Sequence, residues 1–201
     1  MKKQLALLGV AAMIALSGCG KNSTNENPVN NSQNADHSEM NNSDMDHSST
    51  GEVPKGLKEA MNPTYKVGSK AMIKADHMGG MNGATATIVG AYTTTAYAVS
   101  YTPTVGGERV TNHKWVIHEE IKDASEKPFE PGAEVVLQAD HMKGMNGATA
   151  TIDSAEQTTV YMVDYTPTTG GEKVKNHKWV TESELSSEGA DGSGDMPGMK
   201  H

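Results

Sequence analysis

The stretch DHMGGMNGATATI, residues 76–88, returns with one change as DHMKGMNGATATI, residues 140–152. Each copy begins with a histidine, two methionines and shared glycines, a composition suited to a loop that holds something. It then alternates Thr with Ala and closes on Ile, the period of two expected of a half-buried strand. Working outward, a shift of 64 residues overlays the chain on itself without a gap. Gly68 falls on Gly132, Tyr97 on Tyr161, Pro103 on Pro167, His113 on His177, Trp115 on Trp179 and Glu120 on Glu184. More than half of the aligned positions are identical, so the repeat is read before the fold. The units span residues 62–121 and 126–185.

Within each unit the patterns are those of strands. Ala71-Ile73-Ala75 and Val135-Leu137-Ala139 alternate, as do Ala84-Ala86-Ile88 and their copies. Tyr97-Val99-Tyr101 and Tyr161-Val163-Tyr165 predict a third strand, Pro103 with Gly106-Gly107 a turn, and Val110 and Trp115-Val116 two short final strands. Glu119-Glu120-Ile121 reads as a closing helical turn. Five short strands in about sixty residues predict an all-β chain of two tandem small SH3-like β-barrels sitting side by side, with an OB-like barrel as the alternative. The expected core is Ile73, Ile88, Val99 and Trp115 with Leu137, Ile152, Val163 and Trp179.

The flanks differ in kind. Lys2 and Lys3 precede an apolar run over residues 5–16 that ends in Leu16-Ser17-Gly18-Cys19. The run is short for a permanent span and fits a signal peptide. Small residues before a cysteine resemble a bacterial lipobox. We therefore expect residues 1–18 to be a lipoprotein signal peptide, Cys19 to carry lipid, and the protein to sit on the extracytoplasmic face of the bacterial membrane. An ordinary secretory signal is the other reading. Residues 19–60 read as a disordered tether and residues 186–201 as a short disordered tail. With no core to occupy, His37, Met40, Met45 and His47 in the tether and Met196, Met199 and His201 in the tail are candidate auxiliary metal ligands. Residues 55–61 are compatible with one helical turn.

The repeated GMNGATATI and NHKWV segments, behind a lipobox and a Met/His-bearing tether, resemble the YdhK-like bacterial lipoproteins, built from a repeated domain of unknown function. The resemblance covers roughly residues 62–185. The family's staphylococcal relative CopL is associated with copper resistance and binds copper, so the resemblance implies an extracytoplasmic, copper-associated role. It supplies no ligand residues.

The ligand assignment rests on chemistry. Thioether and imidazole are donors that Cu(I) favours, and a thioether has no proton to lose. His77, Met78 and Met81 form one candidate set, and His141, Met142 and Met145 the other. Asp76 and Asp140 are placed to orient the imidazoles. His113 and His177, in the two NHKW segments, are candidates for a fourth ligand or are surface histidines beside core tryptophans. Alternatively, each HMxGM is a tight turn whose methionines plug a Phe-poor core. His118 has Glu182 as its counterpart and receives no role.

The net charge of −8 argues against nucleic acid and anionic lipid as partners. A single cysteine excludes an internal disulfide. Nothing in the sequence resembles a phosphate loop or a nucleophile–base set, so no enzymatic activity is expected. The expected function is sequestration or buffering of copper, with copper ions, the membrane and a copper exporter as partners. The alternative is a tandem SH3-like module that binds cell wall or protein and has no metal role.

Overall fold

The computed structural model describes residues 48–188. They form one eight-stranded sheet: β1 (Lys58–Glu59), β2 (Lys70–Ile73), β3 (Thr85–Tyr101), β4 (Val110–Ile117), β5 (Glu134–Val136), β6 (Thr149–Tyr165), β7 (Val174–Thr181) and β8 (Leu185–Ser186). Helix among the described residues is confined to two 3-10 turns, His118–Glu120 and Glu182–Glu184. The first is the closing turn expected at Glu119-Glu120-Ile121.

Two strands of 17 residues dominate. The second and third strands expected of each repeat are one strand, and so are the fourth and fifth. Residues 89–96 read VGAYTTTA, with no Pro, Asn or Asp to stop a strand and three threonines that favour one. β3 and β6 pair antiparallel along nearly their whole length, from Ala86 opposite Tyr165 to Tyr101 opposite Ala150. Thr94 lies opposite Thr158, its own copy, so a pseudo-two-fold axis passes between them. Register shifts fall beside Val89 and its copy Asp153. Both of these residues face solvent. Such bulges bend a long strand and raise its twist.

This pairing changes what a repeat builds. The first half of β3 lies against β2 and the second half of β6, while the second half of β3 lies against β4 and the first half of β6. One core therefore joins Ile73, Met81, Ala86 and Ile88 of the first repeat to Tyr161, Val163, Tyr165 and Val180 of the second. The other joins Tyr97, Val99, Tyr101 and Val116 to Leu137, Met145, Ala150 and Ile152. A third cluster around the axis holds Trp115 and Trp179 with Ala96, Ile117, Val160 and Met162. All eight expected core residues are buried.

The expectation of two separate barrels, one per repeat, is thereby corrected. A single sheet runs through both repeats, and its hydrogen-bonded order does not close into a ring. The reason is local: nothing in residues 89–96 lets the chain fold back, so each half-strand finds its partner in the other repeat.

The expected tether is also shorter at its inner end. Residues 48–60 are ordered, with β1 pairing with Tyr92 and Thr93 of β3. At 54–57 the chain makes a turn, Leu57 N–H to Pro54 C=O at 3.3 Å, rather than the helical turn expected at 55–61. Leu57 packs on the tryptophan cluster, which explains why this polar stretch stays down. Ser186, assigned to the tail, belongs to β8. The expectations for residues 1–47 and 189–201, including Cys19, His37, Met40, Met45, His47, Met196, Met199 and His201, lie outside the described residues.

Candidate functional site

Each HMxGM loop is a compact turn between a short strand and a long one. Met81 N–H donates to Met78 C=O at 3.3 Å and Met145 N–H to Met142 C=O at 3.1 Å. The loop is anchored by the other repeat: Thr168 N–H donates to Gly80 C=O at 2.8 Å and Thr104 N–H to Gly144 C=O at 2.9 Å. Gly80 and Gly144 have φ of +76° and +79°. A Cβ on Gly144 would lie 2.7 Å from Val105 Cγ2 and 3.1 Å from Pro103 Cβ. Glycine is required there by both backbone conformation and space.

The turn separates the two methionines that sequence reasoning had joined. Met81 and Met145 are fully buried in the two composite cores. The packing account holds for them, and they do not line the groove described below. Met78 and Met142 are half-buried and line it.

The histidines are held across the repeat boundary. His77 Nε2 lies 2.7 Å from Glu184 Oε1, and Trp115 Nε1–H donates to Glu184 Oε2 at 2.7 Å. In the copy, His141 Nε2 lies 2.8 Å from Glu120 Oε1, and Trp179 Nε1–H donates to Glu120 Oε2 at 3.1 Å. The same carboxylates accept the Thr181 and Ile117 backbone N–H groups at 3.1 Å. Burial alone would raise both carboxyl pKa values. The histidine contact, the backbone N–H and the indole outweigh it and hold Glu120 and Glu184 below the usual carboxylate range. An ionised carboxylate only accepts, so the proton sits on Nε2 of each histidine. That leaves Nδ1 of His77 and of His141 as buried ring nitrogens with no hydrogen-bond partner.

Asp76 and Asp140, expected to orient these imidazoles, are exposed. Glu184 and Glu120 do that work instead. The signal was present in the overlay: Glu120 matches Glu184, while the two residues before it, His118-Glu119 against Glu182-Ser183, do not match. His118 satisfies a buried hydroxyl, with Nδ1 2.9 Å from Tyr97 Oη, and its counterpart Glu182 accepts from Tyr161 Oη at 2.9 Å.

His113 and His177 sit on β4 and β7. His177 is buried, edge-on to Tyr165 at 5.8 Å between ring centres. His113 is edge-on to Tyr101 at 6.1 Å and stands 6.3 Å from His141, ring centre to ring centre. An ion about 2 Å from one nitrogen of each of two imidazoles holds the ring centres at most about 6.5 Å apart. The separation of the two ring centres falls within that limit. Met142 lies alongside, its sulfur 3.8 Å from Tyr101 Oη.

All six side chains, His77, Met78, His113, His141, Met142 and His177, line one groove of about 1120 Å³. Among the described residues no three His, Cys, Asp or Glu side chains gather into a metal cluster. The groove offers imidazole and thioether, a soft donor set, beside the carboxylates of Glu52, Asp76, Glu119, Glu120 and Asp140.

The family described as Protein of unknown function (DUF1541) matches the chain twice, over residues 67–118 and 131–182. The uncharacterized protein YdhK of Bacillus subtilis strain 168 is 59% identical over 187 residues, which is 92% of this chain and 89% of that protein. The crystal structure of a DUF1541 family protein, YdhK from the same bacterium, matches with a TM-score of 0.70 at 68% identity, covering 72% of this chain and 99% of the other. The solution NMR structure of the YdhK C-terminal domain matches with a TM-score of 0.59 at 71% identity, covering 61% and 93%.

Proposed function

The chain belongs to the DUF1541 family, proteins of unknown function, and from that premise we propose that it is a copper-binding lipoprotein, anchored through Cys19 outside the cytoplasmic membrane, that buffers Cu(I). The observation that carries this reading is the pair of buried Nδ1 atoms on His77 and His141. A buried ring nitrogen without a partner is costly. Here its opposite nitrogen is fixed by a carboxylate, the arrangement that orients a metal-binding imidazole and raises its basicity.

The donors differ from those expected at the outset. His141, His113 and Met142 form one set, and His77, His177 and Met78 the other, each drawn from both repeats. Met81 and Met145 leave the set because they are core. Cu(I) accepts few ligands and favours imidazole and thioether, so two nitrogens and a sulfur suffice. Copper is cargo in this reading, and an exporter that takes it is the implied partner. Each lobe is, in the same reading, an SH3-like barrel assembled from halves of both repeats, with β8 returning to β2 after the 3-10 turn.

Titration of the full chain with Cu(I) against a competing chelator tests the proposal. His77→Ala with His141→Ala removes both oriented imidazoles and should abolish the tightest binding. Unchanged affinity in that double variant overturns it. The binding-module alternative predicts no metal effect from these residues and retention of the chain on isolated cell wall.

A further inference from the structure

The two donor sets are built from matching residues, but a strap covers one of them. Residues 48–52 run along β7 beside His177. Ser49 N–H donates to Lys175 C=O at 3.0 Å, and Lys175 N–H donates to Ser48 Oγ at 3.1 Å. Ser49 Oγ donates to Asn176 C=O at 2.7 Å, and Asn176 Nδ2 donates to Ser49 C=O at 3.1 Å. Lys178 Nζ donates to Glu52 C=O. A Cβ on Gly51 would lie 3.1 Å from Asn176 Nδ2, so the strap lies close on that side chain. β4 carries the same Asn-His-Lys-Trp-Val, and Asn112 and Asn176 share a left-handed backbone, with φ of 50° and 51°. Their surroundings differ. Asn176 is half-buried and Asn112 exposed; His177 is 6% exposed and His113 only half-buried. The overlay gives the reason: shifted by 64, residues 48–52 fall on 112–116, which are β4 itself, so no strap of this kind precedes the second repeat.

We infer that the two sets are unequal in use: His113, His141 and Met142 form the port where Cu(I) enters and is handed on, and the strap makes His77, Met78 and His177 a retaining site. The inference rests on the copper-binding reading above and adds how that groove is regulated. An ion held by few ligands leaves when an incoming donor reaches it, so cover over a ligand slows exchange without changing which atoms bind. A segment that must open before release sets the residence time. Lifting the strap breaks the bonds to Lys175 and Asn176 together, because Ser49 takes part in most of them. Its far end is held as well, by Leu57 on the tryptophan cluster and by β1 against Tyr92 and Thr93. Opening it therefore costs more than fraying a free end. At the unstrapped edge, His113 and His141 stand with ring centres 6.3 Å apart and meet no such barrier.

The test loads the full chain with Cu(I), mixes it with an excess of chelator and follows release in time. The parent should release its ions in two phases, the second at least about tenfold slower, the factor expected if one or two net hydrogen bonds must open first. His141→Ala should remove the fast phase and His77→Ala the slow one. Ser49→Pro takes away the N–H given to Lys175 and no metal donor. It should bring the slow phase toward the fast one, with the β signal in circular dichroism unchanged. Asn176→Gly keeps the left-handed backbone, removes the amide that holds Ser49 and should act in the same direction. Asn112→Gly, the same change on the unstrapped strand, should leave both phases as they are. A single release rate in the parent, a parental slow phase in Ser49→Pro, or equal effects of the two Asn→Gly changes overturns the inference and leaves the groove reading standing. If neither His77→Ala nor His141→Ala alters binding or release, the groove reading falls as well.

Discussion

Replacing Glu120 by Gln should move a proton across the His141 ring while leaving the fold standing. Glu120 is buried, accepts from Ile117 N–H and Trp179 Nε1–H on Oε2, and faces His141 Nε2 with Oε1. The backbone amide and the indole are donors only. A glutamine must therefore turn its carbonyl to them and its NH₂ to His141. That NH₂ donates, so Nε2 must accept, and the imidazole proton shifts to Nδ1. All three contacts survive in weaker, uncharged form, for a loss of about 1–2 kcal/mol. Glu120→Ala instead leaves three buried donors unpaired, each costing about 1–3 kcal/mol before water enters. The expected total is about 3–5 kcal/mol, the range seen when one partner of a buried charged pair is removed. Urea denaturation measures both losses, and nitrogen-resolved NMR of the imidazoles reads the tautomer. Cu(I) affinity at the His141 lobe should fall in the Gln variant despite its near-parental stability, because Nδ1 is no longer a lone pair. The reasoning is refuted if His141 keeps its proton on Nε2 in Glu120→Gln, or if the Gln and Ala variants cost the same.

Met81→Leu and Met145→Leu keep volume in a closed core and should cost less than about 1.5 kcal/mol with Cu(I) binding unchanged; Met78→Leu and Met142→Leu should keep stability and lower affinity in the same titration. Glu120 and Glu184 have folded pKa values below the ordinary one, so the stability they contribute is present above about pH 4.3 and lost as pH falls through the folded values. Urea midpoints across an acid series should show this loss, and Glu120→Gln with Glu184→Gln should flatten it. Residues 62–121 alone leave half of every core uncovered and should associate through the β3 strand as a two-fold dimer; a folded monomer by sedimentation would contradict the composite cores.

The sequence was legible where its signals are local. The strand periods, the closing turn and the buried positions follow from alternation and size, and Ile73, Val99, Trp115 and their copies are all core. The repeat was legible from identity alone. Which repeat a strand pairs with was not, because Thr94 and Thr158 look the same whether the chain folds within a unit or across the axis. The only hint was the missing turn in residues 89–96. At the site, donor chemistry singled out the His and first Met of each loop, and these four side chains line the groove. Met81 was misjudged because a Met-x-x-Met spacing does not reveal that the intervening Gly80 turn sends the second sulfur inward. Glu184 was overlooked as the partner of His77 because the two are 107 residues apart in sequence. Its signal was a matched acidic residue between unmatched neighbours.

The crossing of the repeats also decides how the two lobes relate. The first repeat gives His77 and Met78 to one lobe and His113 and Glu120 to the other; the second repeat gives His177 and Glu184 to the first and His141 and Met142 to the second. Neither donor set of the proposed site survives the loss of a repeat. Trp115 shows the coupling in a single residue. It packs in the cluster on the axis, donates to the carboxylate that holds His77, and lies 6.2 Å edge-on from that ring. Shifting the axis cluster therefore shifts the carboxylate, and with it the nitrogen that the carboxylate orients. Two independent barrels joined by a linker would have no such path, so ions bound to the two lobes of this chain should influence one another through the tryptophan pair.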